Sequence, residues 1–424
     1  MSLSVVEICA GAGGQSLGLE LAGFEHKLAV ELDENAAATL RANRDWDVAV
    51  GDVADKSVWN PEDSAFRRLD LLAGGVPCPP FSIAGKQLGA NDERDLFAWA
   101  VELAGRMRPR ALMLENVRGL SMPRFAGYRQ HVKDRLAELG YWSDWKLLEA
   151  HQYGVPQLRP RFVLVAINSD DAGWFDWPDE RPTTDTVGTA LADMMGVHKW
   201  PGVAKWVEKA NDIAPTIVGG SKKHGGADLG PTRAKQAWKT LGVDAMGVAD
   251  DAPKPGVHPA DHTPKLTTEM VARLQGWEPF DSDAEYFWTF TGRKTSRYRQ
   301  IGNAFPPPVA RAVGASIFRA LSDHSGERKD HLAVEAEVMH DPIYSALKLA
   351  SAAMTAKELV RAAGGRIEAR DFERRMAMLS RDFVIEEHEV GNDRAYRLTG
   401  FKGFVGQQDH DRHLAFATAV NRIS

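Results

Sequence analysis

A chain of 424 residues is too long for one ordinary core and predicts two or three domains. With 44% hydrophobic and 26% charged residues it is globular, and its two cysteines, Cys9 and Cys78, exclude a disulfide framework or a four-cysteine zinc site. The net charge of −6 argues against a polyanionic partner, but the charge is segregated along the chain. Residues 1–75 carry 13 acidic and 6 basic side chains, residues 199–240 carry 3 and 8, and residues 285–320 carry 1 and 6. Basic segments that meet in space can form a phosphate-binding face, although uneven surface charge gives the same counts. No apolar run is long enough to cross a bilayer. The start, MSLSVVEICAGAGG, lacks the basic and apolar regions of a secretory signal, so a cytoplasmic protein is expected.

In chain order, Leu3–Ile8, His26–Leu32, Asp47–Asp52, Leu69–Gly75 and Arg110–Asn116 are short, apolar and valine- or leucine-rich. Amphipathic stretches separate them, among them GQSLGLELAG, NAAATLRAN and DLFAWAVELAGRM. This alternation predicts an α/β fold with a mainly parallel sheet, continued by a strand at Arg161–Ile167. Ligands of such sheets bind beyond the carboxyl ends of the strands, where Gly11, Glu31, Asp52, Cys78 and Glu115 fall. From 175 to 265 the chain turns rich in Pro, Gly, Lys and Trp and predicts a separate loop-rich module. Apolar periodicity returns near Ser296–Ala315 and ends in a proline-started helix. The expected partition is a catalytic domain over 1–175 and 290–322, a second module over 176–289, and an extension over 330–424.

EICAGAGGQSLGLELAG follows a strand and opens a helix, and its glycines allow a tight turn close to a ligand. Such a turn fits a dinucleotide site, an S-adenosylmethionine site or a structural bend. Ser16 stands where the dinucleotide fingerprint needs its third glycine. Glu31 comes 20 residues after Gly11, at a strand end, where a carboxylate can accept from ribose hydroxyls; Asp52 can accept from an adenine amino group. Either acid alone is usually a helix cap. In this order the set points to an adenosine-containing cofactor.

Cys78 sits between Pro77 and Pro79 directly after an apolar strand. The prolines block regular structure and fix the direction of the thiol. A reactive thiolate needs nearby positive charge or a base; without one, a half-buried packing role is the ordinary alternative. Downstream, ENVRGL places Glu115 and Asn116 at a strand end, and Gln157-x-Arg159-x-Arg161 has the spacing of one strand face.

Taken together, the set resembles the cytosine-C5-specific DNA methyltransferase family of the bacterial restriction-modification type. The resemblance rests on Gly11-Ala12-Gly13-Gly14, Glu31, Gly51-Asp52, Pro77-Cys78 with Phe81-Ser82, Glu115-Asn116-Val117, Gln157-x-Arg159-x-Arg161, Arg273-Leu274-Gln275-Gly276-Trp277 and Gln300-Ile301-Gly302-Asn303-Ala304. It covers roughly 3–167 and 266–320. It implies an S-adenosylmethionine-dependent, Rossmann-like large domain, a small target-recognition domain and duplex DNA in the cleft between them. Gly11, Gly13, Gly14, Glu31, Asp52, Asn303 and Ala304 are then the expected cofactor residues. Glu7-Ile8-Cys9 replaces the family's Asp-Leu-Phe, which removes an aromatic contact; Cys9 is expected only to pack.

The family's chemistry assigns Cys78 to attack C6 of a flipped-out cytosine, with Glu115 as the proton donor at N3. Asn116 holds the loop or the base edge, Arg161 supports Glu115, and Arg159 contacts the cysteine's surroundings or the DNA backbone. Ser82, Lys86, Gln157, Lys222, Lys223 and Arg233 are expected at the DNA. Three helices and a hairpin after residue 340 resemble a winged helix, with Arg370, Arg374 and Arg375 as further DNA contacts or, alternatively, a dimerisation domain on an otherwise monomeric protein. The expected partner in function is a cognate restriction endonuclease, with no membrane and no metal. Competing readings are a tRNA cytosine methyltransferase, a non-catalytic DNA-binding regulator and a dinucleotide-dependent oxidoreductase.

Overall fold

The computed structural model describes residues 2–76, 96–220, 226–278, 288–329, 341–390 and 393–401. Its centre is a seven-stranded sheet. In chain order the first elements are β1 (Leu3–Ile8), α1 (Gly14–Leu21), β2 (Phe24–Glu31), α2 (Glu34–Asn43), β3 (Val48–Val50) and β4 (Leu71–Gly74). There follow α3 (Leu96–Met107), β5 (Ala111–Val117), α4 (Ala126–Glu138), β6 (Tyr141–Glu149) and β7 (Pro160–Asn168). The strand order is β3-β2-β1-β4-β5-β7-β6. The first five strands run parallel, whereas β7 pairs antiparallel with both β5 and β6. The fold is therefore α/β with a parallel-rich sheet, as the alternation predicts.

Strand periodicity sets the two faces. Val6, Leu72, Leu112 and Leu164 meet Phe97, Val101 and Leu136 of α3 and α4. Their neighbours Val5, Leu71, Met113 and Val165 meet the opposite layer. Side chains that alternate across a pleat explain why near-continuous apolar runs are needed where both faces are covered.

The region from 176 to 278 contains α5 (Val187–Met195), α6 (Val203–Lys209), α7 (Thr232–Thr240) and α8 (Thr268–Leu274). This region buries Leu191, Trp206, Trp238, Leu266 and Trp277 in a second core. α9 (Lys294–Asn303) adds Tyr298 and Ile301 to it, so this helix belongs to both parts of the molecule. α10 (Pro307–Ser322) then returns to the sheet with Val309, Val313 and Ile317. It packs against α1 at Gly18, where an added Cβ would lie 2.5 Å from the Ala310 Cβ.

After residue 340 come α11 (Pro342–Leu349), β8 (Met354–Thr355), α12 (Ala356–Ala362), α13 (Ala369–Asp382), β9 (Phe383–Val390) and β10 (Asp393–Phe401). The last three strands form a sheet in the order β8-β10-β9. No described helix is long and apolar enough to cross a membrane, and the described residues hold no cluster suited to a metal ion.

Candidate active site

The bend between β1 and α1 needs glycine for two separate reasons. Gly11 and Gly13 have φ of 58° and 93°, in the left-handed region that side chains avoid. At Gly14 the limit is space: a Cβ would lie 2.3 Å from the Phe305 carbonyl oxygen. The turn is thereby pressed against the segment that follows α9. Trp288 covers its other side, donating its indole N–H to the Ala12 carbonyl at 2.9 Å.

Beyond the carboxyl ends of β1, β2 and β4 lies a cavity of about 490 Å³, within the range of small-molecule sites. Gly11, Gly14, Glu31, Asp52, Glu115, Asn303 and Ala304 all border it. Gly13 shapes the turn without lining the space. Cys9 lines it too, with a left-handed φ of 53°, and packs against the core as well. The expectation that Cys9 only packs is therefore incomplete. Strained backbone of this kind costs about 1–3 kcal/mol and persists where the surroundings over-determine it.

Glu31 is held by two backbone donors, Gly11 at 2.7 Å and Asp33 at 2.7 Å. One carboxylate oxygen takes each. Burial pushes its carboxyl above the usual range, against the pull of the Asp33, Gly11 and Leu32 N–H groups. Asp52 accepts from the Ala54 N–H at 2.9 Å, which fixes the loop after β3. Asn303 is exposed and donates to the Gly220 carbonyl at 3.2 Å, bridging to the second module.

At the other end of the cavity, Glu115 is 8% exposed. Its Oε1 lies 2.6 Å from the Arg161 Nε, although that N–H is not aimed along the contact. Burial raises the Glu115 carboxyl; Arg161 and then Arg159 pull it back only in part. Burial likewise lowers the affinity of Arg161 for its proton, and Glu115 opposes this. A Cβ on Gly75 would stand 3.5 Å from Glu115 Oε2, so the acid faces the backbone that leads to Cys78. Asn116 is buried and donates to the Val76 carbonyl at 3.4 Å, tying β5 to the same segment. Cys78, Ser82, Lys86, Lys222 and Lys223 lie outside the described residues.

Two expected roles change. The strand begins at Pro160, so Gln157 and Arg159 precede it instead of sharing a strand face with Arg161. Gln157 is fully buried: its amide donates to the Leu274 carbonyl and Gln275 Oε1, and accepts from the Ile217 N–H. Arg159 is 1% exposed and donates to the carbonyls of Ile217, Gly302 and Ala304. Buried among these partners, both side chains brace the two cores. Arg233, on α7, is exposed. Sequence reasoning missed Trp288, which carries no periodic signal, and the buried Glu7–His26 pair beneath the cavity, 3.2 Å apart.

Residues 3–319 match the family model of C-5 cytosine-specific DNA methylase. The chain belongs to this family. Its members are DNA methyltransferases, and this chain is one. It is 61% identical to Type II methyltransferase M.NaeI of Lentzea aerocolonigenes, over the whole of both chains. It is 48% identical to Type II methyltransferase M.NgoMIV of Neisseria gonorrhoeae, over 76% of this chain and 99% of that protein. Two solved structures share the fold. One is a DNA modification methyltransferase encoded within an E. coli prophage, with a TM-score of 0.51 and 23% identity over 76% of this chain and 99% of that one. The other is a Spodoptera frugiperda DNMT2 mutant, with a TM-score of 0.51 and 17% identity over 75% of this chain and 100% of that one.

Proposed function

We propose that this C-5 cytosine methyltransferase is the modification enzyme of a type II restriction-modification pair, acting in the cytoplasm on one duplex DNA sequence. The observation that carries the reading is the single cavity with Glu31 and Asp52 at one end and Glu115 at the other. The two ends suit different groups. Glu31 can accept from ribose hydroxyls, Asp52 can accept from an adenine amino group, and the glycine bend leaves room for the amino-acid part. This donor set fits S-adenosylmethionine, which when bound supplies an electrophilic methyl group.

The chain's own residues do the rest. A cytosine stacked in a duplex offers no approach to C6, so the base is flipped into the Glu115 end of the cavity. The Cys78 thiolate adds to C6, and the displaced electron pair runs toward N3 and C5. Glu115, whose protonated form burial favours, gives its proton to N3, so C5 becomes enamine-like and takes the methyl group. Arg161 holds the carboxyl in place, and Asn116 keeps β5 against the backbone leading to Cys78. A base then removes the C5 proton, the S–C6 bond breaks with its electrons returning to sulfur, and Glu115 recovers its proton from N3.

The test is incubation with duplexes containing 5-fluorocytosine, whose C5 fluorine cannot leave as a proton, together with the methyl donor. A denaturant-resistant protein–DNA adduct is expected, absent in Cys78→Ser. Tritium transfer to genomic DNA but not to tRNA is expected in parallel. Folded protein that forms no adduct across a broad sequence panel would overturn the mechanism, and transfer to tRNA alone would overturn the substrate.

A further inference from the structure

We propose that the C-terminal unit is a second contact for duplex DNA, in which exposed arginines of α13 and the turn before it hold phosphates flanking the methylation target. The inference rests on the DNA substrate proposed above.

The unit's chain order is helix, short strand, two helices and a hairpin, and its third helix has two unlike faces. Phe372, Met376 and Leu379 of α13 are buried. Arg370, Arg374, Ala377 and Arg381 are exposed, at spacings of four, three and four residues that align along one side. Arg366, also exposed, precedes the helix. Ala377 is small, so a sugar-phosphate backbone can come close between the arginines.

The charges of this row are only partly used. Asp371 pairs with Arg374, and Arg375 turns inward to Asp341 and Asp371. Among the described residues, Arg366, Arg370 and Arg381 form no ion pair with a carboxylate. Arg381 lies near Arg124, whose guanidinium binds its proton less tightly because of burial and this second positive charge, with Asp382 opposing the shift. Arg124 belongs to the turn Pro123–Phe125, which follows the strand carrying Glu115 and Asn116. The basic row therefore leads from α13 toward the part of the chain that carries Glu115, and Arg124, Arg381 and the buried Asp382 meet at the seam.

The row points in a fixed direction because the unit is docked. Tyr344, Phe383 and Phe401 pack on α4 around Tyr128 and His131. At Gly127 a Cβ would lie 2.8 Å from Leu379. A protein partner fits this face poorly. The exposed large hydrophobics of the unit, Leu349, Val384 and Val390, are not on α13, and stable protein interfaces have apolar centres. The hairpin is excluded as the phosphate contact, because Glu386, Glu387 and Glu389 are exposed along β9. Contact falls to the helix and the turn before it.

The experiment uses the full chain and a duplex of about 40 base pairs without a particular target sequence, with binding measured over a range of salt concentrations. Arg370→Gln with Arg381→Gln is expected to weaken binding about tenfold and to reduce the salt slope by about 2, as loss of two phosphate contacts requires. Glu373→Gln, which removes the acid beside the row, is expected to tighten binding several-fold, a gain that misfolding cannot produce. Methyl transfer at saturating DNA should be unchanged in both variants. Binding and slope that ignore these substitutions would overturn the proposal, as would a double variant that only loses self-association in sedimentation. Absence of methyl transfer with the binding effects intact would sink the proposed function and leave this inference standing.

Discussion

Arg159→Ala removes a side chain that is only 1% exposed and holds three backbone carbonyls. The guanidinium donates at 2.6 Å to Ile217, 2.7 Å to Gly302 and 2.8 Å to Ala304. Gly302 and Ala304 lie at the end of α9, where carbonyls have no partner within the helix. Each stranded, buried acceptor costs about 1–3 kcal/mol, and water entering the vacated space recovers part of this. A net loss of about 4 kcal/mol is expected. Charge adds little, because removing Arg159 takes away both an attraction to Glu115 and a repulsion from Arg161. Arg159→Lys keeps the charge but not the planar fork, so about half the loss is expected. Urea unfolding followed by tryptophan fluorescence gives the stability. Equilibrium dialysis with S-adenosylmethionine gives the second readout, since Asn303 and Ala304 border the cavity. Affinity should fall by about tenfold or more, which corresponds to about 1.4 kcal/mol. A loss under about 1 kcal/mol in the alanine variant, with unchanged affinity, would refute the bracing role.

Glu115→Gln can still donate a hydrogen bond at N3 but cannot transfer a proton. Turnover should fall about 10²–10⁴-fold, and the loss of wild-type activity as pH rises through the raised Glu115 pKa should vanish; a variant keeping both rate and alkaline limb would contradict the assignment. His131, pressed between Phe383 and Phe401, is lowered to about 4 by burial. The unfolded chain takes up this proton near pH 6.5 and the folded chain only near 4, so stability is complete above the upper value and declines by up to about 3 kcal/mol as pH falls through the window. His131→Phe should flatten that decline in urea unfolding at pH 7 and pH 5, and equal declines would count against it.

The parallel half of the sheet is legible because its strands are buried on both faces. β1 is read with its true bounds, and β2, β4 and β5 to within about two residues, since short apolar-rich runs bounded by Gly, Asp or Asn leave little alternative. β6 is not legible. In YWSDWKLLE polar residues interrupt the run, because the strand is an edge and most of its side chains are only half-buried. At the site, the acids at strand ends are readable because fold topology alone brings the ends of parallel strands together. The arginine motif misleads for the opposite reason. Its period of two looks like a strand, yet Gln157 and Arg159 sit in irregular chain whose partners are 58 to 145 residues away. Trp288 is hidden in the same way, 276 residues from the carbonyl it binds.

The distribution of these contacts explains why the cavity needs both ends of the catalytic sequence. Its floor comes from β1, β2 and β4, within the first 75 residues. Its wall comes from α9 and the chain up to Phe305. Nothing local holds floor to wall. Gly14 and Gly18 let α1 approach the chain around Phe305 and Ala310 without an intervening side chain. Thr39 on α2 hydrogen-bonds Gln300 on α9 at 2.6 Å. Gln275 donates to the Ile301 carbonyl and accepts from Gln157, while Arg159 gathers the end of α9. A ligand filling the cavity would touch both sets of residues at once, so its binding energy would add to the same closure that these buried polar groups maintain. On this reasoning the motif residues divide by depth. On the proposed function the acids and glycines that border the cavity would serve the ligand, and the buried amides and guanidinium behind it keep the two halves in register.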